Sequence, residues 1–88
     1  MIHTIKLNEV FCDAVLNKDK TFEIRKNDRG YQTGDYIRFL PVEDGCSLHH
    51  IEHPIKDKWY EITYILSGWG LPNDYVVFSI KEVKLPGC

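Results

Sequence analysis

No stretch of this sequence is both apolar and unbroken for long enough to cross a bilayer. The longest uncharged run, Ile62 to Asn73, is interrupted by Thr63, Ser67, Gly68, Gly70 and Pro72, and a spanning helix needs about 20 consecutive apolar residues. A disulfide framework is missing as well. Three cysteines (Cys12, Cys46 and Cys88) cannot all pair, and their spacing fits no such scaffold, so reduced thiols are expected. The opening residues Met1-Ile2-His3-Thr4-Ile5-Lys6 lack the basic region and apolar run of a secretory leader, which makes a cytoplasmic location the expectation. An excess of positive charge is also absent: the formal net charge is −2. That excludes a protein that coats nucleic acid through a broadly basic surface. No internal repeat, low-complexity stretch or heptad pattern is present.

What is present is enough for one small core. With 43% hydrophobic residues spread along all 88 positions, the chain reads as a single domain, 1–88, without a linker. A chain this short buries only about 60–65% of the surface it exposes when unfolded, so its stability margin is thin. Charge is unevenly spread. Between residues 17 and 30, Lys18, Lys20, Arg25, Lys26 and Arg29 face Asp19, Glu23 and Asp28, a net of +2 that leaves −4 for the rest. Such a strip is suited to holding one anionic or nucleotide-like ligand.

Local pattern predicts a mainly β, α+β fold. Ile2 to Lys6 alternates apolar and polar residues as a strand does. Asn8 is a good N-cap and Glu9 suits a first turn, so a short helix follows, with Val10, Phe11, Ala14 and Val15 as its apolar stripe and an end near Asn17. Thr21 to Lys26, Tyr36 to Pro41, Trp59 to Leu66 and Tyr75 to Val83 read as strands. On the third of these five strands, Ile37 and Phe39 are expected to point inward. Thr33-Gly34-Asp35 and residues 67 to 74 supply turn chemistry. Val42 to Lys58 is polar and lacks a strong period, so a long loop is expected there. Five or six strands with one early helix suggest a small barrel or tightly curled sheet, the helix covering one end or open side; closure protects strand edges.

Two constellations could carry chemistry. Glu23 and Arg25 stand two apart on a strand and leave it on one face, with Lys20 at the strand entrance. An acid between two bases makes an ordered polar site, with arginine giving planar bidentate contacts and lysine a mobile point charge. The bland alternative is a ladder of surface ion pairs, each worth about 0–1 kcal/mol. The second constellation is Cys46, His49, His50 and His53, one thiol and three imidazoles within eight residues. Zinc accepts such ligands, but closed zinc sites usually draw on two separated pairs and Pro54 limits any helix there. A solvated loop is the expected reading, with no metal and no cofactor. Among the many aromatic residues, Trp69 between two glycines and Tyr31 are the candidate stacking platforms for a base. Of the adjacent Trp59 and Tyr60, only one can point inward.

The segment Lys20-Thr21-Phe22-Glu23-Ile24-Arg25 resembles the motif Gly-x-Lys-x-x-Glu-x-Arg of the ASCH superfamily, whose members have PUA-like β-barrels. The continuation from Lys26 to Asp35 is similar to a bacterial and phage-associated ASCH-related family without assigned activity. Ile65 to Leu71 and Tyr75-Val76-Val77 share that likeness, which covers most of the chain apart from about 43–58 and the tail. The resemblance implies a cleft between helix and barrel, lined by the motif and suited to RNA or a nucleotide-like ligand. Lys20, Glu23 and Arg25 would form its floor, Lys26 and Arg29 would meet phosphate, and Tyr31 and Trp69 would stack. Some small ASCH proteins are amidohydrolases acting on a modified cytidine, in which the motif lysine works with a threonine three residues later. Here that position is Glu23, so a catalytic role for Lys20 and Glu23 is the weaker expectation. A further departure is Lys18, where the motif has glycine. The third alternative is a phage-derived module that binds a protein partner.

Overall fold

The computed structural model describes residues 1–84; Cys88 lies outside them. In chain order the elements are β1 (Ile2–Asn8), α1 (Glu9–Leu16), β2 (Phe22–Lys26), β3 (Tyr36–Glu43), β4 (Cys46–His50), a 3-10 turn (Pro54–Asp57), β5 (Trp59–Ser67) and β6 (Tyr75–Val83). All six strands join one mixed sheet in the order β1-β3-β5-β6-β2, with β4 attached to β3. β1 runs parallel to β3, and the remaining pairs are antiparallel. The fold is thus mainly β with one helix. The sheet curls without closing, and its two end strands, β1 and β2, meet through side chains. Arg25 donates from Nη2 to the Lys6 carbonyl (2.6 Å) and Arg29 from Nη1 to the Thr4 carbonyl (3.1 Å). Two guanidinium groups thereby cover carbonyls that a further strand would otherwise pair with.

Inside the curl, Ile5, Leu7, Ile37, Phe39, Tyr60, Ile62, Phe78 and Ile80 form the core, with Cys12 and Val15 from α1 and Ile55 from the 3-10 turn. Ile37 and Phe39 point inward as their alternation predicts. Tyr60 is the buried member of its pair, its ring edge-on to Phe39 at 5.4 Å, while Trp59 is half-buried under Arg38. Burial pushes the Tyr60 hydroxyl up to about 12. Asn8 caps α1 as expected, its side chain accepting from the Val10 amide. The stripe assigned to α1 needs correction. Cys12 and Val15 are its buried residues, whereas Val10 and Phe11 are 56% and 44% exposed. The 42–58 segment is not a loop. β3 runs on to Glu43, turns at Asp44-Gly45 and pairs back through Cys46–His50. Among the described residues, no helix is long and apolar enough to cross a membrane.

Two local features set the stability. Lys18 follows α1 with φ +67°, where its amide donates to the Val15 carbonyl at 3.1 Å. This is the left-handed helix exit that glycine adopts without steric cost. The other feature is a buried polar cluster. His3 Nε2 lies 2.8 Å from Asp35 Oδ2, which also accepts from the Gln32 amide, and the Met1 ammonium reaches Oδ1 at 3.2 Å. Burial by itself pushes the Asp35 carboxyl up. Hydrogen bonds with His3, Gln32 and the terminal ammonium outweigh it and hold Asp35 below the usual carboxylate range.

Lys18→Gly should raise stability by about 1 kcal/mol by relieving the left-handed strain, read as a higher urea midpoint at unchanged slope; an unchanged or lower midpoint would mean that the lysine side chain offsets its own strain. Asp35→Asn should cost about 2–3 kcal/mol at neutral pH, as the loss of a charged group's buried hydrogen bonds does. A carboxyl lowered by folding contributes fully above its unfolded value of about 3.9 and loses that contribution as pH falls through the lower folded value. The gap between wild type and Asp35→Asn should therefore hold down to about pH 4 and close below it. Urea titrations across that range decide the point, and a gap independent of pH would remove the charge from the account.

Candidate functional site

β2 is where the sheet departs from ordinary polarity. Phe22 and Ile24 face outward, 43% and 53% exposed, while Glu23, paired in register with Phe78, is 3% exposed on the inner face. A lone carboxylate there would cost several kcal/mol. It is met on both oxygens. Lys20 Nζ bonds Oε1 and also donates to the Phe22 carbonyl at 2.9 Å. Arg25 Nε donates to Oε2 at 3.0 Å while its Nη2 holds Lys6 across the seam. The side chains of Glu23, Lys20 and Arg25 are 5%, 18% and 24% exposed. This is no surface ladder. One helix exit, one strand and one sheet edge are tied together through a single carboxylate.

Above the trio lies a groove of about 800 Å³. The end of β1 and Phe11 of α1 form one wall, the 43–47 hairpin another, and Phe22 and Ile24 the rim. Lys20 Nζ sits between two aromatic faces, 5.1 Å from the Phe11 ring centroid and 5.2 Å from that of Phe22, within cation–π range. After their bonds to Glu23, Phe22 and Lys6, both cations have N–H donors left over. Lys6, Lys20 and Arg25 outnumber Glu23 and Glu43 in the lining, so the floor carries a small positive excess and favours acceptor-rich groups. Its aromatic rim offers planar contact.

The other expected residues scatter. Tyr31 is a core residue, 6% exposed, packed between His3 (4.8 Å) and Phe78 (4.9 Å); its place in the core removes it as a stacking platform. Trp69 is 89% exposed in the β5–β6 turn and is not part of the groove lining. Lys26 points to the outer face, and Arg29 braces the seam at Thr4. Thr21 lines a second cavity of about 220 Å³ with Lys18, Lys20, Tyr60 and Lys81, and is not part of the groove lining. Of the proposed metal ligands, Cys46 borders the groove, His49 pairs with Glu43 (2.5 Å), and His53 links Asp13 (2.8 Å) to the 3-10 turn. Among the described residues no three such groups gather into a metal-binding cluster.

Phe11 and Phe22, which frame Lys20, were not among the site residues expected from sequence. Helical spacing places Phe11 on the apolar stripe, and strand alternation places Phe22 on the face opposite Glu23, so neither is marked for the site by local pattern. If the trio is the buried unit described, Glu23→Ala should cost about 2–4 kcal/mol, because two partly buried cations lose their counter-charge. Adding Lys20→Met to that variant should recover part of the loss. Urea unfolding of the two variants reads this directly, and a cost below about 1 kcal/mol would return the trio to the class of surface pairs.

One family model, that of a domain of unknown function (DUF3850), matches residues 2–80. No curated protein matches the chain.

Proposed function

We propose, from the premise that the chain belongs to the DUF3850 family, that its groove is a binding site for RNA or a nucleotide-like ligand of the kind the ASCH resemblance implies. The observation that carries this reading is the donor-rich Lys20–Glu23–Arg25 floor set beneath Phe11 and Phe22. A nucleotide offers what such a floor and rim select, namely a flat ring to lie against phenyl groups and carbonyl or phosphate oxygens to accept from lysine and arginine. The groove's volume falls within the range of small-ligand sites. Glu23 acts as the positioning anchor, since it fixes both cations and leaves them donors to spare. Its commitment to two cations suits holding better than proton transfer. Thr21 lines the smaller cavity and not the groove, so the hydrolase reading lacks its threonine there; the thiol and hydroxyl at the groove are those of Cys46 and Ser47.

The test is an amide NMR titration with short RNAs, single nucleotides and modified nucleosides. Shifts are expected to cluster at residues 6–8, 11 and 20–25. Phe22→Ala should weaken binding roughly tenfold or more through lost stacking, and Arg25→Ala should weaken it while the protein stays folded. A folded protein whose spectrum ignores the whole panel would overturn the reading and favour a protein ligand.

A further inference from the structure

The outward face of β2, β6 and β5 is divided. Towards the Trp59 end it is charged: Arg38 lies over Trp59, and Glu61 stands opposite Lys81. Towards the β5–β6 turn the charges stop. Register lines up Phe22, Ser79 and Tyr64 in one row across β2, β6 and β5, and Ile24, Val77 and Leu66 in the next, with Tyr75 further along β6. Tyr64 is 65% exposed and Tyr75 38%; Lys26, opposite Tyr75 at the margin, is the cation that register brings to this half. Thr63 and Ser79 share one hydrogen bond at 2.7 Å, which ties up one hydroxyl hydrogen at the centre of the face and leaves the other to water at its exposed edge.

We propose that this half-face is the interface of a symmetric dimer, its occupant a second copy of the chain. Three arguments select that occupant. Nucleic acid or a lipid headgroup needs several cations, and the face has one at its edge. An apolar surface whose single charge, Lys26, lies at the margin is complementary to itself, so a two-fold axis through its centre sets no like charges together, and a net charge of −2 repels a second copy only weakly. The area also fits. With aromatics contributing most, the patch exposes roughly 500 Å², among the largest patches of ordinary monomers and of the size that weak, low-area complexes bury per partner. Two such faces would stack about 10 Å apart, as sheets do in a sandwich. Phe22 and Ile24 belong to both the face and the groove rim, so the second copy would stand at the mouth of the groove.

Sedimentation equilibrium from about 10 to 500 µM, the range of a weak to moderate complex, tests this. The mass should rise from 10.3 kDa towards twice that value. Tyr64→Glu and Tyr75→Glu, neither of which lines the groove, should each raise the dissociation constant roughly tenfold or more with unchanged circular dichroism. A wild-type mass that stays at that of one chain over the whole range would overturn the proposal. So would variants that dimerise like the wild type. The result does not depend on whether any nucleotide binds.

Discussion

The Glu23 carboxylate is the constraint around which this molecule is arranged. It sits on a largely apolar inner face, opposite Phe78, and the fold is acceptable only because Lys20 and Arg25 arrive to meet it. Each cation comes with a structural consequence. Lys20 fixes the chain as it leaves α1, and Arg25 reaches past Glu23 to a β1 carbonyl, holding together two sheet edges that share no backbone ladder. A hydrophobic side chain of similar size at position 23 would pack against Phe78 at no electrostatic cost, but it would release both cations. Buried ion groups of this kind are weak evidence for stability and better evidence for geometry. The trio keeps a polar floor in place where an apolar plug would otherwise form.

The same constraint explains the inverted face of β2. Strand alternation forces a choice, and placing Glu23 and Arg25 inside puts Phe22 and Ile24 outside. Two exposed apolar residues are the cost of a buried carboxylate, and they also give the groove its rim. Phe11 contributes from the helix for a related reason. α1 is anchored to the core by Cys12 and Val15, so the flank that carries Phe11 turns towards Lys20. Burial pushes the Cys12 thiol up to about 11. It stays protonated at neutral pH, and its contribution is packing.

Much of the fold was legible in sequence because its signals are local. Five strands, the Asn8 cap and the inward Ile37 and Phe39 follow from alternation and capping rules that hold within a few residues. The misreadings have physical causes. Asp44-Gly45 is a strong short hairpin signal, but β4 is exposed at every residue, so no alternation marks its flanks and the segment reads as loop. Tyr31 looks like a surface aromatic among Asn27, Asp28 and Gln32, yet it packs on His3 and Phe78, contacts distant in sequence. Of the candidate site, the three polar side chains were legible and their burial was not, because an inward carboxylate on a strand with two apolar neighbours contradicts hydrophobic patterning. Such contradictions between local pattern and final fold are where function tends to reside.

Lys18 shows how far that argument extends. The residue two past the end of α1 is a lysine, and the backbone there is left-handed. The helix has to end and reverse within two residues for Lys20 to reach Glu23, and the amides of Asp19 and Lys20 both return to the Ala14 carbonyl, at 2.9 and 3.0 Å. The turn is dictated by the position of the carboxylate, and the residue at the turn has to accept the conformation it is given. Glycine would accept it without strain, while lysine pays about 1 kcal/mol in left-handed backbone. Its side chain lines the smaller cavity beside Thr21 and Lys81. The residue at position 18 therefore bears on the backbone that delivers Lys20, while the geometry of the floor itself remains set by Glu23.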